Sequence, residues 1–500
     1  MRFATFSQKN QDYLCPEPLI QSTHPSLQPI SQINALPLQP LNSNYSYNKP
    51  LREFLVGRHL LLDELPFPIH LIQEHYQQGF ITFEKGITNK GNRYSCERCG
   101  NDAQDLFAAF HCYRCKNECT YCRNCIMMGR VSQCTPLIRW IGPDEDNRMT
   151  GDKVLNWKGE LSSLQKQASK RITEVIDVPQ ELLIWAVCGA GKTEILFEGI
   201  EQAVRQGKRV CLATPRTDVV TELTPRFEKA FPSLDVHAVY GGSHPVEKPS
   251  LLTLSTTHQL FRYKNAFDVM IVDEVDAFPY SFDPALQFAV EKACSEHASR
   301  IYLTATPSKS MLKEVRRGEL EVIHISRRFH GYPLPVPRFM WCGNWQKSIK
   351  KGRLPRAVST WINEKMKHRR QCFLFVPTVQ NLLELSEWMK DRKGVESVHA
   401  GDPERLEKVQ RFRKGEISLL ITTTILERGV TVPEIDVAVV GSDHEVFTTN
   451  ALMQIAGRVG RSIQDPYGEV VYFHYGKTKA MGDAKRTIEA QNKRTSEPQL

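Results

Sequence analysis

AVCGAGKTEILFEGI, residues 186–200, is the stretch that decides the fold. It follows the apolar run ELLIW at 181–185 and leads into a segment of helical character. Strand, glycine turn and helix in that order form a phosphate-binding loop. Backbone N–H groups of Gly189, Ala190, Gly191 and Lys192, with the helix N-terminus behind them, can cradle phosphate oxygens. Gly191 lets the backbone approach without a Cβ. Lys192 is placed to reach the β- and γ-phosphates of ATP, and the Thr193 hydroxyl to bind Mg²⁺. Ala186 stands where the usual pattern has its first glycine. A second Gly-Lys-Thr, at 476–478 in FHYGKTKA, lacks the upstream glycine turn and has no nucleotide role.

A hydrolytic site needs a carboxylate for the metal and another for water. DVMIVDEVDAF (268–278) supplies both, because an apolar strand ends in Asp273 and Glu274. Asp273 would orient Mg²⁺ and Glu274 would polarise the attacking water. QIAGRVGR (454–461) puts Arg458 and Arg461 three apart, on one face if helical, as arginine fingers for the γ-phosphate. In LSSLQKQA (161–168), Gln165 offers a carboxamide able to read adenine, although a lone Gln on a helix is usually only solvated.

Around these motifs the chain divides by composition. Residues 1–50 are rich in Ser, Gln, Asn and Pro and read as a disordered tail. Residues 51–145 read as a helical lead followed by a cysteine module. From 150 to 330 short β-rich runs alternate with helical stretches, the pattern of a parallel sheet. SRRFHGYPLPVPRFMWCGNWQ (326–346) breaks the rhythm as a hinge, and a second alternating series fills 336–485. Residues 486–500 read as a frayed tail. The expected fold is therefore α/β, with two RecA-like lobes behind a small N-terminal module.

The net charge of +9 leans toward nucleic acid. The first residues lack a signal-peptide core, and the longest apolar runs have strand length. A cytoplasmic protein with reduced thiols is expected, which disfavours disulfides.

Seven of the 14 cysteines fall between Cys96 and Cys125, as three CxxC knuckles with Cys119 between the last two. Two knuckles suffice for one tetrahedral Zn²⁺. Two ions would need eight ligands, so Cys134 or His111 would have to join, and the short gap from Cys112 to Cys125 would crowd them. An iron–sulfur cluster is an alternative for such compact spacing. Between Lys85 and Arg139 there are nine Lys/Arg against four Asp/Glu, interleaved with Tyr94, Tyr113 and Tyr121. Basic groups among aromatics suit single-stranded DNA, although solvated surface around a structural zinc would look the same. A second basic run, Lys347 to Arg370, reads equally as strand path or as a solvated helix face.

Taken jointly, GAGKT, TPRTDVV (214–220), DEVD, TAT (304–306), TTTILERGVTVP (422–433) and QIAGRVGR resemble the motifs of superfamily 2 helicases and translocases. The resemblance implies two lobes that close on ATP and move along nucleic acid. It implies strand contacts at Thr214, Arg216, Thr256, Thr257, Thr423 and Thr424, and coupling of nucleotide to strand through Thr304 and Thr306. WAVCGAGKTE, ATPRTDVV, STTHQL, IVDEVDAFPY, LITTTILERGVTVP and CIMMGRVSQC narrow the likeness, over roughly 52–485, to the ComFA family of late-competence ATPases of Gram-positive bacteria.

That likeness implies a DNA-stimulated ATPase acting in uptake of transforming single-stranded DNA. It also implies a peripheral position at the inner face of the cell membrane, with other competence proteins and a membrane DNA channel as partners. An oligomer is compatible with it. The family's four-cysteine zinc site maps to Cys96, Cys99, Cys122 and Cys125, leaving Cys112 and Cys115 as extras. The alternatives are a general superfamily 2 helicase of repair or replication restart, and a non-catalytic DNA-binding adaptor. Intact Lys192, Glu274, Arg458 and Arg461 argue against the adaptor.

Overall fold

The computed structural model describes residues 1–8, 11–20, 27–91, 93–144, 154–243, 247–428 and 432–496. Its chain contacts divide it into two units: 1–158, 170–182 and 197–302 form one, and 159–169, 183–196 and 303–500 the other. The fold is α/β with RecA-like parallel sheets. A seven-stranded sheet has the order Val236–Val239, Leu252–Thr256, Val210–Thr214, Phe267–Asp273, Cys294–Thr304, Glu181–Ala186, Glu321–Ile325. Val210–Thr214 pairs parallel with both Leu252–Thr256 and Phe267–Asp273. These strands are buried on both faces, which is why they read as continuous apolar runs and not as alternation.

The second unit holds a six-stranded sheet: Arg338–Trp341, Val470–His474, Ile435–Val440, Gln371–Phe375, Leu419–Thr422, Val395–Val398. Arg338–Trp341 pairs parallel with Val470–His474, so the latter part of the proline-rich stretch expected as a hinge is a strand of this sheet. Trp345, Val358, Trp361, Leu374 and Phe473 centre its core. The helix Lys479–Ser496 runs through the segment expected to fray from 486; residues 497–500 lie outside the described residues. Among the described residues no helix is long and apolar enough to cross a membrane.

The N-terminal segment differs from the disordered tail expected of it. Arg2–Gln8 pairs antiparallel with Gln11–Pro16 and with Gln28–Pro29. Phe3, Leu14 and Ile30 are fully buried in one core with Leu51, Tyr76, Phe83 and Trp140. The physical reason is borrowed surface. Residues 1–50 hold too few apolar groups to fold alone, but the helices Lys49–Leu55 and Ile69–Gln77 and the strands Ile81–Lys85 and Pro136–Trp140 give them a face to cover.

A charged seam joins the strands Ile81–Lys85 and Pro136–Trp140 to the segment that precedes the strand Phe267–Asp273, all within the first unit. Glu84 Oε2 lies 3.2 Å from His59 Nε2 and 2.6 Å from Lys264 Nζ, and Glu84 Oε1 lies 3.0 Å from Arg139 Nε. His59 is fully buried, and burial brings its imidazole down to about 4 against the opposing pull of Glu84. It is therefore neutral near pH 7, so its contact with Glu84 is not an ion pair.

Candidate nucleotide site and cysteine centres

The phosphate loop leaves the strand Glu181–Ala186 and turns at Gly189 (φ +79°) and Gly191 (φ +72°). Both are left-handed positions that favour glycine. A Cβ on Gly191 would stand 2.4 Å from Gln165 Nε2. The α-helix begins at Phe197, after a 3-10 turn Glu194–Leu196, later than the sequence suggested. Lys192 and Thr193 therefore sit half-buried in the turn itself. The cradle is backbone-rich and glycine-permissive, which fits a bound triphosphate.

Gln165 is buried and spans the loop's base. Its Nε2 donates to Ala190 O at 2.9 Å, and its Oε1 accepts from Ser162 N at 2.9 Å. Both ends of the amide are thus engaged with protein groups, so in this state Gln165 braces the loop.

The QIAGRVGR stretch (454–461) meets the phosphate loop in the same unit. Cys188 Sγ donates to Gln454 Oε1 at 3.2 Å, and a Cβ on Gly457 would stand 2.4 Å from Cys188 Cβ. The helix Thr449–Ala456 ends before the two arginines. Gly457 and left-handed Gly460 (φ +66°) turn the chain there, so Arg458 and Arg461 are not helical neighbours. Arg458 Nε donates to Glu427 O at 2.9 Å and Arg461 Nε to Gly457 O at 3.0 Å. A residue outside the sequence reading joins them. Arg328 is buried and donates through Nη2 to Val459 O at 2.9 Å and also to Gly460 O. Burial, and then the charge of Arg461, brings its guanidinium down to about 10. Nothing local in RRFH distinguishes Arg328 from a surface arginine.

Asp273 and Glu274 lie in the first unit. Asp273 ends its strand, and Glu274 adopts φ +57° while its amide donates to Asp273 Oδ1 at 2.8 Å. A left-handed glutamate costs on the order of 1–3 kcal/mol and persists only where the surroundings hold it. Thr304 and Thr306 are buried, and Thr306 N donates to Thr304 Oγ1 at 3.0 Å.

Of the six residues expected to touch a strand, Thr214 and Thr257 are fully buried and Thr256 and Thr423 nearly so. Arg216 forms an ion pair with Asp218 at 3.2 Å. Thr424 is half-buried at the start of a 3-10 turn. Residues 429–431 of TTTILERGVTVP lie outside the described residues.

The cysteines form two sets. Cys96, Cys99, Cys122 and Cys125 have sulfurs within 4.8 Å of one another, and so do Cys112, Cys115, Cys119 and Cys134; all eight are buried. Cys96 and Cys125 sulfurs are 3.8 Å apart, those of Cys99 and Cys122 3.7 Å. A zinc ion with bonds of roughly 2.3 Å holds tetrahedral thiolates about 3.8 Å apart. Each set could hold zinc, and the first is the one the family pattern picked out. No described cysteine forms a disulfide.

The first centre is built into the first unit. Arg98, inside the Cys96–Cys99 knuckle, is fully buried and pairs with Glu64. Its carbonyl accepts from Lys292 Nζ at 2.7 Å. A Cβ on Gly100 would stand 2.6 Å from the Phe288 ring. Lys292 and Phe288 belong to the helix Pro284–Ala293, which follows the DEVD loop. Tyr94 and Tyr121 pack against Phe107 and Phe110 inside the hairpins, whereas Tyr113 is 94% exposed. Of the three tyrosines, only Tyr113 turns its ring to the surface.

Three stretches match known families: residues 42–139 match the competence protein ComFA N-terminal domain, 158–309 the type III restriction enzyme res subunit, and 353–462 the helicase conserved C-terminal domain. The competence protein ComFA of Bacillus subtilis (strain 168) is 50% identical over 458 residues, covering 91% of this chain and 97% of that protein. The competence protein ComFA of Streptococcus pneumoniae (strain ATCC BAA-255 / R6) is 37% identical over 402 residues, covering 80% and 90%. Among solved structures, S. cerevisiae Dbp5 bound to RNA and ADP BeF3 superposes with a TM-score of 0.51 at 14% identity. It covers 66% of this chain and 91% of that one, a likeness of fold.

Proposed function

The chain belongs to the ComFA family of competence proteins, and on that premise we propose that it is a DNA-stimulated ATPase that moves transforming single-stranded DNA during uptake. It is an ATP-hydrolysing enzyme of superfamily 2 helicase type. The observation that carries the finer reading is the intact set Lys192, Thr193, Asp273, Glu274, Arg458 and Arg461 in a chain that spans its ComFA relative almost end to end.

ATP with Mg²⁺ would supply the phosphoanhydride whose cleavage drives the motor. Gly189 and Gly191 would give the loop backbone donors, Ala190 would have to release Val187 O, to which its N–H donates at 3.1 Å, and Lys192 and Thr193 would be the side-chain ligands. Asp273 would help to hold Mg²⁺, and Glu274 would take the proton of the attacking water. Arg458 and Arg461 must leave Glu427 O and Gly457 O to reach a γ-phosphate. Arg216 and Thr424 are the strand contacts with reachable surface, and the buried threonines shape the floor beneath them. Cys96, Cys99, Cys122 and Cys125 would hold a structural zinc, and Tyr113 among basic groups offers a stacking face. The protein works at the inner face of the membrane beside a DNA channel and other competence proteins.

ATP turnover with and without single-stranded DNA tests this. DNA should raise turnover several-fold, and Lys192→Ala or Glu274→Gln should abolish it. Turnover unmoved by DNA would remove the motor reading. Transformation frequency scored beside ultraviolet survival separates the alternative, since a Lys192→Ala strain of a repair helicase would be damage-sensitive.

A further inference from the structure

We propose that Cys112, Cys115, Cys119 and Cys134 hold a second structural zinc ion, so that each chain carries two. The crowding expected between Cys112 and Cys125 disappears once the hairpin is folded. Phe107–Cys112 pairs antiparallel with Asn117–Cys122, placing Phe110 opposite Cys119, Cys112 opposite Asn117 and Phe107 opposite Cys122. Strand side chains alternate between faces, so Cys119 and Cys122, three apart, point to opposite sides. One strand thereby serves two centres. Cys112 and Cys119 share one face, and Cys122 faces the other set.

The backbone supplies an independent observation. In the first centre, Gly100 follows the second knuckle cysteine with φ +71°, and its amide donates to Cys96 O at 2.8 Å. Lys116 follows Cys115 with φ +58°, and its amide donates to Cys112 O at 2.8 Å. The same knuckle turn is made twice, the second time by a lysine that must bear the left-handed strain. Cys112 and Cys134 sulfurs are 3.6 Å apart, near the tetrahedral edge of about 3.8 Å.

The surroundings are those of a built site. Ser132 Oγ lies 3.7 Å from Cys134 Sγ, where its hydroxyl can donate to a thiolate. Such a contact orients a metal ligand. Phe110 packs on the cluster, and the Arg130 guanidinium covers that ring at 4.4 Å. Cys134 sits in a turn fixed by Gln133, whose amide donates to Thr120 O at 3.0 Å and whose carbonyl accepts from Ser31 N at 3.1 Å. The second zinc therefore clamps the turn 132–135 to the hairpin and gives the N-terminal sheet its seat.

Elemental analysis of the purified full chain tests the count. About two zinc ions are expected in the wild type and about one in Cys119→Ser/Cys134→Ser, with faster proteolysis within residues 1–40. One zinc in the wild type, iron in place of zinc, or two zincs retained by the double variant would each overturn the proposal. Should the variant fail to fold, alkylation of the wild type read peptide by peptide decides. Cys112, Cys115, Cys119 and Cys134 should resist modification until a chelator is added. Equal labelling of these four before and after chelation would refute the second site.

Discussion

Arg98 places Nη2 at 2.9 Å and 3.0 Å from the two carboxylate oxygens of Glu64, with its own side chain fully buried. Glu64 also meets Arg262 Nε at 2.7 Å. Although burial pushes the Glu64 carboxyl up, Arg98 and Arg262 hold it below the usual range. One carboxylate thus links a cysteine knuckle to the segment that follows the strand Leu252–Thr256. Removing it strands a buried guanidinium, which costs about 3 kcal/mol or more. Glu64→Ala should lower the urea midpoint of the first unit accordingly. A shift worth under about 0.5 kcal/mol would mean that the seam is solvated.

Gln165 separates two roles by its substitutions. If its carboxamide braces the phosphate loop, Gln165→Ala should raise KM about tenfold for ATP and GTP alike. Gln165→Glu should be worse, because a carboxylate would face the Ala190 carbonyl oxygen. If the residue instead reads adenine, the alanine variant would lose its preference for ATP while GTP turnover stayed level.

Glu274 holds a left-handed backbone that asparagine tolerates better. Glu274→Asn should unfold at the wild-type temperature or a few degrees above it, with turnover lost at least a hundredfold. A clear drop in melting temperature would show that the glutamate side chain stabilises its own strained position.

His59 sets an acid limit. Its imidazole titrates near 4 when folded and near 6.5 when unfolded. As pH falls through this window the unfolded chain takes up the proton first, so stability falls. The loss approaches about 3 kcal/mol by pH 4 and is absent above about pH 7. Urea midpoints across pH 4–7 for wild type and His59→Asn should converge in slope only if this histidine is not the group responsible.

Phe3 tests the order of the N-terminal segment. Its ring is fully buried and meets Phe83 edge-on at 5.6 Å. Phe3→Ala should cost about 3–5 kcal/mol and open residues 1–40 to protease. Unchanged proteolysis would return this segment to the disordered tail that its composition suggests.

The sequence by itself determined the parallel-sheet lobes and the loops at their strand ends. Strands such as DVMIV and LLIWA are written in short apolar runs, and the phosphate loop and the DEVD stretch are contiguous, so spacing and residue type carry them. The tertiary structure decided what depends on distant partners. Phe3, Leu14 and Ile30 show no periodicity, and they become core only because residues 51–140 present a face to them. Gln165 became a brace because folding set Ala190 O beside it, and Arg328 joined the QIAGRVGR stretch across 131 residues of chain. Cys134 lies outside every CxxC. It entered a cluster because the antiparallel register of one hairpin turned Cys119 away from Cys122 and toward it. Local pattern fixes which chemistry a chain can perform, whereas the pairing of residues far apart in sequence is set by how their strands register and their faces pack.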